Sequence, residues 1–192
     1  RIHAIREEIA RRRLPRELEA VALISLMEAA DRVDSTTGVQ MAYLKQWAPR
    51  AHNDLELRVP DILTRAAAGK GEAFCMDALD AMRRLSPEAD IVYLDPPYNQ
   101  HSYLGNYHIW ETLIRWDAPE VYGVACKRTD CRERKSVFNS KRLIRDSLAE
   151  VINACRAPAM VVSFSDEGYL TRDELESILS PRGRISIIER DY

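Results

Sequence analysis

The chain is poor in glycine and cysteine, and it has neither a long apolar run nor a strong net charge. Its 192 residues include 7 glycines and 4 cysteines, and the formal net charge is −2. Four cysteines in a chain of this length do not make a disulfide scaffold. The longest near-continuous apolar stretch, 20–27, is far shorter than the roughly 20 residues that cross a bilayer. No leader resembling a secretory signal opens the sequence, so we expect a soluble cytoplasmic protein without a membrane partner.

The chain does have an apolar fraction and a charge distribution that carry information. It is 46% hydrophobic and 30% charged, which favours a folded domain with a sizeable core over disorder. The small net charge hides a segregation, because residues 126–145 carry eight Lys or Arg against two acids, a local charge of +6. Such a block is a candidate for contacts with DNA phosphates, and a solvated charged loop is the alternative. The candidate residues are Lys127, Arg128, Arg132, Arg134 and Lys135.

The pattern of apolar and polar residues changes near residue 70. Residues 1–70 are predicted to be mainly helical, with a break at Arg13–Leu14 before Pro15 and a short helix over 40–47. From residue 71 onward, apolar runs typical of buried strands alternate with helical patterns. We predict one α/β domain over 1–192, with a 71–192 catalytic part and a sheet covered by helices on both faces. The predicted strands are 72–76, 90–94, 159–164 and 184–189, and the predicted helices are 78–85, 107–116, 139–155 and 171–179.

The most informative segment is the end of the strand predicted at 90–94. Asp95, Pro96, Pro97 and Tyr98 follow that strand directly. Ligands of open α/β sheets bind just beyond the carboxyl ends of strands, where these residues would project. The prolines fix two successive φ angles and remove two backbone donors, so the segment becomes a stiff bracket of hydrogen-bond acceptors.

An acceptor bracket beside an aromatic ring suits a planar ligand with an exocyclic amino group, such as adenine. The Asp95 carboxylate accepts one amino proton and the Pro96 carbonyl the other, which frees the nitrogen lone pair for attack. The Tyr98 ring stacks on the base, as aromatic side chains do with extruded bases. The alternative is a tight turn in which a surface aspartate caps the next element.

With its neighbours, this motif resembles a known family. Asp-Pro-Pro-Tyr is followed by Asn99-Gln100-His101-Ser102-Tyr103 and then by Asn106-Tyr107-His108. These segments, together with Ser163–Gly168, resemble the FokI-type and Dam-like branch of DNA adenine-N6 methyltransferases, over most of the chain. The resemblance implies a Rossmann-like methyltransferase fold and methyl transfer from S-adenosylmethionine to a flipped adenine in double-stranded DNA. It also implies a bacterial, nucleoid-associated restriction-modification system with a cognate restriction endonuclease.

The resemblance also implies roles for particular residues. It makes Asp95, Pro96, Pro97 and Tyr98 the catalytic motif and Asp77 a ligand of the cofactor's adenine. Asp77 is equally well placed to cap the helix predicted at 78–85, so both roles stay open. The segment beyond the motif is a candidate lid or wall of the base pocket. Its candidate substrate contacts are Asn99, Tyr103, Asn106 and Tyr107, joined by Ser165 after a later strand.

The sequence departs from the family at the cofactor loop. The family carries Phe-x-Gly-x-Gly after its first strand, whereas the one Gly-x-Gly here, Gly69-Lys70-Gly71, precedes a predicted strand. We therefore expect the first strands and the cofactor loop to be missing, and these residues alone to bind the cofactor poorly or not at all. The resemblance places target recognition at 36–60. Cys126 and Cys131 lack the further ligands of a zinc site, and no metal is expected.

Three alternative functions stay open from the sequence. Similar brackets serve the methylation of adenine in RNA and of cytosine at N4. The absent glycine loop also suits a non-catalytic DNA-binding or specificity subunit that depends on a partner for the cofactor.

Overall fold

Helices outnumber strands in the described part of the chain, which divides into two units. A computed structural model describes residues 1–42, 44–64 and 66–190. The first unit combines Arg1–Lys70 with Tyr103–Arg134, and the second combines Gly71–Ser102 with the chain from Lys135 onward. Among the described residues, every helix is too short or too polar to traverse a bilayer. The elements are α1 (Ile2–Arg12), α2 (Arg16–Arg32), α3 (Ala78–Leu85), β1 (Ile91–Leu94), α4 (Tyr103–Asn106), α5 (His108–Arg115), β2 (Val121–Tyr122), β3 (Lys127–Arg128), α6 (Ile144–Ala154), β4 (Ala159–Val162) and α7 (Arg172–Leu179).

The first unit packs α1, α2 and α5 around a small apolar core. The predicted break between the first two helices is confirmed, because Arg13 ends α1 in the left-handed region at φ 46° and Pro15 precedes α2. Buried Arg6 joins α1 to the end of α5 by donating from Nε to the Leu113 carbonyl at 2.7 Å. A helix end leaves its last carbonyls without partners, and the guanidinium supplies one. The core residues are Ile9, Leu23, Leu26 and Leu113.

The short helix predicted over 40–47 is wrong. The described residues of that range form turns and irregular chain. Two of its backbone groups bond outside the segment instead: Gln40 N donates to the Asn106 carbonyl at 2.7 Å, and Leu44 N donates to the Ser35 carbonyl at 3.2 Å. Trp47 is 76% exposed, so the apolar spacing of this segment does not reflect a buried helix face.

The second unit contains a parallel pair of strands. β1 and β4 align from Ile91 opposite Ala159 to Leu94 opposite Val162. Val92, Leu94 and Met160 pack against a core built largely by α6. The opposite face is exposed, with Tyr93 63% accessible, so among the described residues helices cover one face of the expected sheet. The fold is thus α/β with a small parallel sheet.

Two predicted strands are wrong. Residues 72–76 and 184–189 have no strand pairing in the described part of the chain, and Ile188 is 81% exposed. An apolar run becomes a strand only where a neighbouring backbone satisfies its ladder of hydrogen bonds. The periodicity of the side chains carries no information about whether that neighbour is present.

The predicted helices of the second unit are confirmed, with one shifted start. α3 and α7 agree with prediction, and a reciprocal capping box of Thr171 and Glu174 opens α7. The helix predicted from residue 139 begins only at Ile144. Ser136 caps a separate 3₁₀ turn, Val137–Asn139, by accepting from Phe138 N, and this turn takes in Asn139, the first residue that the pattern assigned to the helix.

The core of the second unit can be tested at α6. Leu148 is 1% exposed, whereas Leu143, just before the helix, is 40% exposed. We expect Leu148→Ala to lower the free energy of unfolding by about 2–5 kcal/mol, because it removes packed methyl groups and leaves a cavity. Leu143→Ala is the matched control and should cost about 1 kcal/mol or less. Urea unfolding followed by circular dichroism measures both, and equal losses would contradict this core.

Candidate active site

The acceptor motif lies at the carboxyl end of β1. Parallel pairing continues one step beyond the strands, since Ser163 N donates to the Leu94 carbonyl at 2.9 Å. Asp95 follows at once and is exposed, while Pro96, Pro97 and Tyr98 are half-buried. Among the described residues, no donor pairs with the Asp95 carboxylate or with the Pro96 carbonyl. Two acceptors next to each other in the chain are therefore available to a ligand.

Tyr98 is held by the segment that follows β4. Its carbonyl accepts a hydrogen bond from Tyr169 N at 2.8 Å. Its ring lies against the Phe164 ring, with centroids 5.8 Å apart and planes inclined at 55°. Offset and tilted pairs of this kind are favourable because ring edges are positive and ring faces negative. The strand pairing thus brings the 163–169 segment to the motif.

Ser165, a predicted substrate contact, lies in this same segment. Its hydroxyl accepts a hydrogen bond from Glu167 N at 3.2 Å, and its carbonyl accepts one from Gly168 N at 3.0 Å. Both bonds close a tight turn after Phe164. The hydroxyl therefore has a local structural partner, and its contact with substrate stays a prediction.

Asn99 and Asn139 fix the chain just beyond Tyr98. The Asn99 side chain accepts from His101 N at 3.0 Å, forming a local turn. Asn139 donates through its side-chain nitrogen to the carbonyls of Asn99 at 2.8 Å and His101 at 3.1 Å. Asn139 was missed as a site residue, because it lies 40 positions away in sequence within an apparent helix.

Asp77 forms the helix cap that was one of its two expected roles. Its Oδ1 accepts from Leu79 N at 2.8 Å at the start of α3. No described residue donates to its second oxygen, and the side chain is exposed. The cofactor contact expected of Asp77 stays a prediction.

The other predicted substrate contacts, Tyr103, Asn106 and Tyr107, belong to the first unit. Tyr103 is 68% exposed, and its ring lies 5.9 Å from that of half-buried Tyr107. The Asn106 carbonyl is used internally by Gln40. Adjacent His108 is fully buried, and this burial lowers the pKa of its imidazole. That environment fits a structural histidine.

Two of the basic residues expected at DNA phosphates are engaged within the protein. Arg128 is 3% exposed and pairs with both carboxylate oxygens of Asp117, at 2.7 and 2.8 Å, and with Asp130 at 3.1 Å. Hydrogen bonds from Arg128 lower the pKa of Asp117 to about 2. Arg134 donates to Glu111 at 2.8 Å. We therefore leave Arg128 out of the DNA contacts and assign less weight to Arg134.

Of the remaining basic candidates, Arg132 and Lys135 are exposed and Lys127 is half-buried. Arg132 is exposed and lies over the Tyr122 ring, with 3.8 Å between its guanidinium carbon and the ring centroid. Within the described ranges, no carboxylate lies within ion-pair distance of Arg132, half-buried Lys127 or exposed Lys135. Cys126 and Cys131 are free thiols, and the described residues contain no cluster of three or more metal-binding side chains.

Comparison with known families decides the class of protein. A family model for D12 class N6 adenine-specific DNA methyltransferases matches residues 2–178. The chain belongs to this family. The Asp-Pro-Pro-Tyr motif at the end of β1 and the segment after β4 both lie inside the matched range. The description of the family names N6 of adenine in DNA as the target of its members.

Curated relatives agree with the family. The chain is 36% identical over 168 residues to the type II methyltransferase M.FokI of Planomicrobium okeanokoites, covering 87% of this chain and 25% of the relative. It is 34% identical over 157 residues to the modification methylase StsI of Streptococcus sanguinis, covering 82% and 23%. The chain thus spans about a quarter of the length of these two methylases. No solved structure was found to match it.

The double hydrogen bond of Asn139 can be tested by amide exchange. Asn139→Asp replaces the donor by a carboxylate facing two carbonyls, so we expect the turn at 99–101 to open. Loss of a partly buried hydrogen bond costs about 1–3 kcal/mol, and the His101 amide should exchange about tenfold faster or more. Asn153→Asp, on an exposed position of α6, is the control and should leave exchange unchanged. Equal protection in both variants would contradict the role of Asn139.

Proposed function

We propose that the protein carrying this chain transfers a methyl group from S-adenosylmethionine to the N6 amino group of an adenine flipped out of duplex DNA. One observation supports this most: the Asp95 carboxylate and the Pro96 carbonyl, both without a donor among the described residues, adjoin a ring held in place at Tyr98. Two acceptors suit the two protons of an exocyclic amino group, and an aromatic ring suits the flat base that carries it. Family membership supplies the target atom and the class of nucleic acid.

The chemistry follows from the two acceptors. The Asp95 carboxylate accepts one amino N–H and the Pro96 carbonyl accepts the other. Hydrogen bonding in two directions draws the nitrogen away from conjugation with the ring, so that its lone pair points at an electrophile. Tyr98 stacks on the base and holds it in line, since effective positioning contributes much of the rate of a bimolecular transfer. After transfer the nitrogen carries both protons and a positive charge, and one of the two protons passes to water.

The described residues offer few candidate contacts for the cofactor. Methyltransferases of this family use S-adenosylmethionine, whose sulfonium makes the methyl group electrophilic. In the described chain, Asp77 alone is a candidate ligand. Gly69, the first residue of Gly69-Lys70-Gly71, forms an isolated bridge with Ala66. A glycine-rich cofactor loop follows a strand, and no described strand leads into these three residues. The residues present do not by themselves fit the cofactor, and we derive no step through it.

Contacts with the DNA backbone are assigned to those of the five candidate cations at 127–135 that form no ion pair in the described part of the chain. Arg132, Lys127 and Lys135 meet this condition and offer the charge that phosphates attract. We further propose that 36–60 contributes to target recognition. A cognate restriction endonuclease would act on the same site, as the names of the relatives, type II methyltransferase and modification methylase, suggest.

The acceptor bracket is tested by substitution in the protein that carries this chain. We expect Asp95→Ala and Tyr98→Ala each to lower the turnover number by about 10²-fold or more, because activation and stacking act on the reacting base. Asp90→Ala removes an exposed aspartate just before the other end of β1 and is the matched control. Methylation of duplex DNA at saturating substrate measures all three. Full turnover by the Asp95 variant would refute the bracket.

The assignment of these cations to DNA phosphates is tested by the salt dependence of binding. Replacing Arg132, Lys127 and Lys135 together by alanine should reduce the slope of log K against log salt by about 0.9 for each phosphate that is no longer neutralised. Arg11→Ala removes an exposed arginine that is paired with Glu8 and serves as the control for charge alone. An unchanged slope in the triple variant would assign these cations to solvent.

A further inference from the structure

Gly168 lies where no side chain fits. A Cβ built on it would lie 2.3 Å from Phe164 Cε1, 2.9 Å from the Ser165 carbonyl oxygen and 3.0 Å from Phe164 Cδ1. At five other glycines, a Cβ would meet no atom within 4 Å. Gly168 is absent from the glycines with positive φ, so its requirement is for space and not for an unusual backbone conformation.

The atoms that fill this space belong to the residue that supports Tyr98. Phe164 is half-buried against the core of the second unit, and its ring meets the Tyr98 ring at 5.8 Å. One edge of the Phe164 ring therefore lies over the Gly168 backbone while the same ring contacts Tyr98. A Cβ at residue 168 could be accommodated only by moving the Phe164 ring or by opening the turn at Ser165.

Both of those movements disturb the motif, because the backbone is tied to it on either side of Phe164. Ser163 N bonds to the Leu94 carbonyl at 2.9 Å, and Tyr169 N bonds to the Tyr98 carbonyl at 2.8 Å. Opening the turn shifts Tyr169 and its bond to Tyr98. Moving the ring removes the aromatic contact with Tyr98. Stacking geometry tolerates displacements of only about 0.5 Å before catalysis suffers.

We propose that Phe164 and Gly168 are positioning residues that fix the plane of the Tyr98 ring for stacking on the flipped adenine. The inference rests on the proposed function and adds a requirement to it. Gly168 keeps the space that the Phe164 ring occupies, and Phe164 sets the tilt of Tyr98. Neither residue touches the reacting atoms.

The first test compares two alanine substitutions at glycine in the protein that carries this chain. Gly168→Ala should lower kcat about tenfold or more, while the KM values for duplex DNA and S-adenosylmethionine stay within about twofold. Gly71→Ala is the matched control, because a Cβ there meets nothing within 4 Å. The stacking readout is the emission of 2-aminopurine at the target base, which is quenched when it stacks on Tyr98. Gly168→Ala should reduce that quenching, whereas a merely structural role would leave it unchanged in the folded protein.

The second test asks whether Gly168 acts through Phe164. Phe164→Val removes the ring and should lower kcat. Phe164→Tyr keeps the ring and should have a kcat close to that of the wild-type protein. Because the valine removes both ring atoms that the added Cβ would meet and leaves only the Ser165 carbonyl oxygen at 2.9 Å, the double variant with Gly168→Ala should be about as active as Phe164→Val alone. These measurements also decide the matter if Gly168→Ala does not fold.

The outcomes separate this inference from the function on which it rests. A wild-type protein that methylates DNA and loses activity in Asp95→Ala, yet keeps full kcat in both Gly168→Ala and Phe164→Val, overturns the positioning role alone. Additive losses in the double variant overturn the coupling through Phe164. Wild-type protein without activity, or unaffected by Asp95→Ala, overturns the proposed function and this inference with it.

Discussion

The parallel pairing of β1 with β4 is the constraint on which the site depends. Because both strands run in the same direction and in register, their carboxyl ends meet at one edge of the sheet. Asp95 leaves that edge from one strand and Ser163 from the other. The hydrogen bond from Ser163 N to the Leu94 carbonyl extends the ladder to the motif itself. Segments about 70 residues apart are thereby brought within contact, and Tyr98 gains a partner that local sequence does not supply.

The cations of the basic block at 126–145 differ in the partners that they have in the fold. Along the sequence its cations look alike, but their environments differ. Arg128 is buried and pairs with the carboxylates of Asp117 and Asp130, so its charge is compensated within the protein. Arg132 lies over an aromatic ring and forms no ion pair within the described ranges. The first stabilises the region around β3, and the second is available to an anion.

Local signals made much of the fold predictable. α3 was predicted with its observed bounds because Asp77 caps a strongly amphipathic segment, and β1 because its apolar run stops at two prolines. The break before Pro15 and the capping box at Thr171 are equally local. The strand expected at 184–189 failed because a strand also needs a neighbour, which its own residues do not encode. For the site, the sequence indicated Asp95 to Tyr98 as a unit, whereas Asn139 contacts residues distant in sequence and Gly168 contacts residues within its own turn. The spacing of apolar residues along the sequence gives no information about such contacts.

The position of the methyl group in the product tests the central claim most directly. The protein that carries this chain is incubated with S-adenosylmethionine labelled in its methyl group and with duplex DNA or RNA, and the digested nucleosides are analysed by mass spectrometry. The account predicts label on N6 of adenine from duplex DNA, and no label in RNA or on N4 of cytosine. Label confined to RNA or to cytosine, or no transfer to any nucleoside, would contradict it.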